Sequence, residues 1–144
     1  MLLRFLRRPW IEQRLLLRAL AWTLLYAIWI RIASGRRVAM ALRESSPGRA
    51  SASRIRPAIA QITWAVTGVA AHVPAANCFV QSLVGRRMLL KAGYPAELRL
   101  GVRNHRDFEA HAWIESNGKT LLPIPHPESD YAELPLRRTV RERV

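Results

Sequence analysis

"NCFVQSLVGRRMLLKAGYPAELRLGVRNHRDFEAHAWIESNG", residues 77–118, changes its hydrophobic period part-way along. In the first half Val80, Val84 and Met88 recur at every fourth position, with Leu83 and Leu90 beside them, which predicts a helix. Asn77 is a favoured N-cap residue. At the other end Lys91 falls in the last turn, Gly93 suits a left-handed C′ position and Pro95 prevents continuation. From residue 97 the period becomes two. "ELRLGV" (97–102) reads as a strand, "NHRDFE" (104–109) as a polar turn and "AHAWIES" (110–116) as a second strand. Asn117-Gly118 marks a two-residue hairpin. "KTLLPI" (119–124) then returns as a third strand, with Pro123 at an edge or a bulge.

Upstream, residues 54–71 carry Ala58, Ile62, Ala65, Val66 and Val69 at helical spacing, with Pro57 near the first turn. Pro9 suits the first turn of a further helix running to Ile32, which Ser34-Gly35 stops. "ESSPGRASAS" (44–53) reads as a loop, and the proline-rich tail from 123 as irregular. The order is helices, then antiparallel strands, so the fold class is α+β. Residues 1–50 form an N-terminal helical segment and residues 51–144 the core that bears the chemistry. At 144 residues the two make one compact domain, with the N-terminal helices packed on a small antiparallel sheet.

The formal charge is +13, and all but two of the 23 basic residues are arginine. Such a balance attracts nucleic acid, an anionic membrane or an acidic peptide. The arginines are spread from Arg4 to Arg143 without a basic block, and no aromatic run interleaves with them to stack bases, which argues against nucleic acid. The single cysteine excludes a disulfide framework and a cysteine-rich zinc site. His72, His105, His111 and His126 form no metal-binding pair on one helix face. No metal or cofactor is expected, and a reducing, cytoplasmic setting is the simplest.

"ALAWTLLYAIWI" (19–30) lies between Arg18 and Arg31 and is shorter than the roughly 20 apolar residues a spanning helix needs. Leu17, Leu20, Leu24, Leu25, Ile28 and Trp29 read as the face of a core helix. Peripheral contact with a membrane or a partner protein is the competing expectation, and poor solubility of the chain alone follows from it.

Cys78 stands in the first turn of its helix, where unpaired backbone N–H groups and the helix dipole favour a thiolate. A lone cysteine in an apolar helix also reads as simple packing. His111 supplies the second feature. A strand packed across a helix start can hold an imidazole within reach of a thiol, to take its proton and later give it to a leaving amine. Asn77, beside the thiol, reads as a cap whose amide could also aid an oxyanion, and the Cys78 backbone N–H is the more direct oxyanion donor. Trp113 alternates with His111 and shares its sheet face, as does Glu115.

The pattern of a cysteine opening a helix, Leu-Leu before Lys-Ala-Gly-Tyr-Pro-Ala, Leu-Arg-Leu-Gly-Val, and Phe-x-Ala-His-Ala-Trp-Ile-Glu before Asn-Gly resembles the transglutaminase-like cysteine peptidases of lasso-peptide biosynthesis. These are the leader-peptidase half of the B protein, encoded as a separate short chain. The resemblance is clearest over residues 54–122. It implies a papain/transglutaminase-like fold and removal of a leader from a ribosomal precursor peptide before macrocyclisation. The implied partners are the precursor, a small leader-recognition protein and an asparagine-synthetase-like cyclase. Carried over, Cys78 is the nucleophile and His111 the general base and acid. Trp113 reads first as core packing, with packing over the imidazole or contact with substrate as the alternatives. The family's usual aspartate position holds Pro123 here. Asp130 is the first substitute, with Asp107, Glu128 and His126 behind it; a backbone carbonyl, water or a bare dyad would also serve. The missing aspartate motivates an alternative, a transglutaminase-like scaffold that binds partners without catalysis. A basic nucleic-acid or membrane-surface binder is the third reading.

Overall fold

The helix opened by Cys78 lies between two layers, and its burial reflects that. The computed structural model describes residues 9–33, 56–104, 108–122 and 131–134. The expected loop at 44–53 therefore lies outside the described residues. Among them are helices α1 (Trp10–Ile32), α2 (Ile59–Ala70) and α3 (Cys78–Lys91), and strands β1 (Glu97–Asn104), β2 (Phe108–Ser116), β3 (Lys119–Thr120) and β4 (Ala132–Glu133).

The ends of α3 follow the sequence closely. The Asn77 side chain accepts a hydrogen bond from the Val80 N–H at 2.9 Å, the bond that defines an N-cap. At the other end Gly93 has φ of 82°, its N–H donates to Leu90 O, and the Tyr94 N–H donates to Leu89 O. This reciprocal pair is a Schellman motif, which needs a residue at ease in the left-handed region. Between the caps Val80, Ser82, Leu83, Val84, Gly85, Met88 and Leu89 are all buried, more than one face of a surface helix would bury.

One side of α3 meets the other helices. Val80, Val84, Met88 and Leu89 share a cluster with Ile62, Ala65, Val66 and Val69 of α2 and with Leu15 and Ala19 of α1. Each large side chain buried here contributes on the order of 1.5–3 kcal/mol. The other side meets the sheet, where Leu83 packs with Leu98 of β1 and Ala112 of β2. Contact is closest at Gly85, where an added Cβ would lie 2.7 Å from Ile114 Cδ1 and 3.0 Å from Leu122 Cδ1.

The sheet is antiparallel, with strand order β3-β2-β1-β4. Asn117 and Gly118 take φ of 52° and 72°, as a type I′ turn requires. The third strand is shorter than the sequence suggests. Lys119 and Thr120 pair with β2 and the Leu121 N–H still donates to Ile114 O, but Leu122 turns into the core. A second difference is β4, in the tail read as irregular. Ala132 and Glu133 pair with β1, and Leu134 N–H donates to Leu100 O. Two residues are too few to show a period. The helix expected from residue 54 begins at Ile59, where the Gln61 side chain accepts from the Ala58 N–H at 2.9 Å.

α1 carries the largest correction. Leu17, Leu20, Leu24, Leu25 and Ile28, the expected core face, are exposed by 39–58%. Its buried side is instead Leu15, Ala19 and Thr23, with Tyr26 and Ile30 reaching the cluster beneath β1 and β2. It packs on α2 and α3, and α3 is the helix that carries the sheet. Arginines strengthen that packing: the Arg87 guanidinium lies 3.8 Å from the Trp22 ring centroid, a cation–π contact. Burial lowers the pKa of Arg86, and the neighbouring Tyr26 opposes that shift.

Two substitutions separate the faces. Leu89→Ala, at a fully buried site, is expected to cost about 2–5 kcal/mol in urea unfolding. Leu17→Ala, on the exposed face of α1, is expected to change stability by no more than about 0.5 kcal/mol.

Candidate active site

Cys78 is the first residue of α3 and is half-buried, packed against the cluster of Leu83, Leu98 and Ala112. Asn77 closes the first turn twice: its side chain takes the Val80 N–H, and its carbonyl takes the Gln81 N–H at 3.0 Å. The N–H groups of Cys78 and Phe79 precede that first intrahelical bond, where a helix start favours negative charge.

His111 lies mid-strand in β2 and is only 6% exposed. In register it stands opposite Gly101 of β1. Successive strand residues face opposite ways. Ala112 and Ile114 face the helices. His111 and Trp113 therefore share the other face, where Tyr131 joins them. The imidazole stacks on Trp113 at 6.3 Å between centroids and 16° between planes, and lies 5.4 Å from the Tyr131 ring.

Polar bonds hold both aromatic walls. Trp113 Nε1–H donates to Glu115 at 3.1 Å, and the other Glu115 oxygen accepts from Arg99 Nε at 3.1 Å. Arg99 also donates to Glu133 of β4 at 2.7 Å and to Glu97 at 3.0 Å. Burial disfavours the charged guanidinium, but the bond to Glu133 and the charges of Glu115, Glu133 and Glu97 outweigh it, so the Arg99 pKa is raised. Tyr131 is held separately: its hydroxyl donates to Glu109 at 3.2 Å, Glu109 accepts from Arg103, and Arg103 lies 5.3 Å over the Tyr131 ring.

Gly101 makes room for this cradle. A Cβ there would fall 2.8 Å from Tyr131 Cβ and 2.9 Å from Trp113 Cζ3. Its conformation is ordinary, so the constraint is space. A glycine inside a strand pattern signals such close approach, and "LRLGV" carried that signal. Tyr131, Arg99, Glu109 and Glu133 were not legible as site neighbours, because they converge through strand pairing across some thirty positions of sequence.

The structure thus gathers His111, Trp113 and Tyr131, and packs Cys78 against the cluster of Leu83, Leu98 and Ala112. Trp113 is 4% exposed and stacks on the imidazole. Asp130, Asp107, Glu128, His126 and Pro123 lie outside the described residues.

A family model described as the transglutaminase-like superfamily matches residues 5–135. The chain belongs to that superfamily, which includes cysteine peptidases. No curated protein and no solved structure matches it.

Gly101→Ala is expected to destabilise the protein by about 1–3 kcal/mol through overpacking, read as a lowered thermal midpoint. It should also shift the His111 ring resonances in NMR, because the clashing atoms belong to the two rings that flank the imidazole.

Proposed function

We propose that this protein is a cytoplasmic cysteine endopeptidase that removes the leader from a ribosomally made lasso-peptide precursor before macrocyclisation. The observation that carries the reading is a cysteine opening a capped helix, packed against the strand that bears a buried histidine, in a transglutaminase-like chain.

In this reading Cys78 Sγ attacks the scissile carbonyl and its proton passes to His111. The Cys78 N–H, with the Asn77 amide beside it, faces the developing oxyanion. Collapse expels the leaving amine, which takes the proton from His111. Water then attacks the thioester, giving the leader carboxylate and restoring the thiol. The amine is the new N-terminus of the core peptide, which an asparagine-synthetase-like cyclase would join to a side-chain carboxylate. A small leader-recognition protein would grip the leader and present it. Catalytic hydrogen bonds are often long or misaligned before substrate binds, and presentation by that partner would be the event that aligns thiol and imidazole. Asp130 is the first choice for the group orienting His111.

A second reading, a partner-binding scaffold without catalysis, is motivated by Pro123 at the family's usual aspartate position.

The test combines the protein, its recognition partner and the precursor, with products read by mass spectrometry. Cutting at one bond is expected, and Cys78→Ala and His111→Ala should each lower the rate at least about a thousandfold while remaining folded by circular dichroism. Normal cutting by Cys78→Ala would refute the peptidase reading. Partner binding without cutting by the unaltered protein would establish the scaffold.

A further inference from the structure

α1 is a helix with two apolar sides, and among the described residues only one of them is packed. Its inner side holds Leu15, Ala19 and Thr23. The outer side exposes Trp10 (72%), Leu17 (56%), Leu24 (47%), Ile28 (58%) and Ile32 (77%). At about 100° per residue these fall on one stripe roughly 33 Å long, with Leu20 and Leu25 widening it. Contiguous apolar patches of this kind are rare on soluble monomers and mark a surface that meets something else.

The charges around the stripe select the occupant. At the same spacing the exposed Arg18 borders the stripe, the exposed Arg14 and Arg31 lie at its margins near its two ends, and Arg14 lies over the Trp10 ring at 5.9 Å. Glu12, the one acidic residue of the helix, turns toward the inner side at that spacing. The chain as a whole carries +13. An apolar stripe edged by arginines, with an aromatic–cation pair at one end, fits the boundary between acyl chains and anionic headgroups. By length and composition α1 would also pass as a membrane span. Its inner side, however, is packed on α2 and α3, so lipid cannot surround it.

We propose that α1 is an interfacial anchor: the outer stripe lies in the surface of an anionic bilayer while the inner side holds the rest of the domain. This does not rest on the peptidase reading and can fail without it.

The experiment is flotation of the full-length protein with vesicles of phosphatidylcholine, with and without phosphatidylglycerol. Binding to the phosphatidylglycerol vesicles is expected, and it should weaken as salt screens the arginines. Leu24→Gln/Ile28→Gln should lose binding with an unchanged circular dichroism spectrum and thermal midpoint, because both sites are exposed. Arg14→Gln/Arg18→Gln, which leaves the stripe apolar, should weaken binding about thirtyfold. Failure of the unaltered protein to float with phosphatidylglycerol vesicles would overturn the proposal, as would equal flotation of the Leu24→Gln/Ile28→Gln protein. An oligomer that dissociates on the same double substitution, with no vesicle binding, would also overturn it and assign the stripe to a second copy.

Discussion

The contact of α3 with β2 at Gly85 is the constraint on which the rest of the structure depends. A helix usually buries one face, whereas α3 buries two, and only a residue without a Cβ lets its backbone approach Ile114 and Leu122 so closely. With α3 fixed against the sheet, α2 and α1 close over its far side through Val66, Ile62 and Leu15. The same contact decides where the start of α3 lies. Cys78 is held at the capped end of a helix that cannot slide without opening both layers.

The sheet answers with a division of labour between its faces. Leu98, Ala112 and Ile114 join the helices, and the opposite face carries a polar and aromatic assembly around His111. Trp113 and Tyr131 are each tied to a glutamate, and each glutamate is tied to an arginine. Exposed ion pairs of this kind add little stability singly, and Arg99 is about a third exposed. Their effect is positional: they fix the two rings that fix the imidazole. Four of the 21 arginines are used in this way. Arg87 on Trp22, Arg56 on Tyr94, and Arg99 and Arg103 in the sheet all hold the fold.

Local rules made α3 and the hairpin legible in the sequence. Asn77, Gly93, Pro95 and Asn117-Gly118 act on their immediate neighbours, and the structure places each of them as expected. The orientation of α1 was hidden because both of its sides are apolar, so periodicity names no unique core face. β4 was hidden because two residues show no period. Cys78 and His111 stood out through residue type, order and family pattern. The cradle around His111 did not, because Tyr131 and Arg99 reach it only once β1, β2 and β4 are paired.

Family membership and the capped position of Cys78 argue for a nucleophile, and the packing of His111 argues for a group held in readiness on the neighbouring strand. The central claim is that these two residues act on one another. The most direct measurement is the pH dependence of Cys78 alkylation by iodoacetamide, in the unaltered protein and in His111→Gln, with the proposed leader-recognition partner and precursor present. Rapid labelling at neutral pH that His111→Gln slows to the rate of an ordinary exposed thiol is the predicted result. Identical profiles for the two proteins would contradict the account.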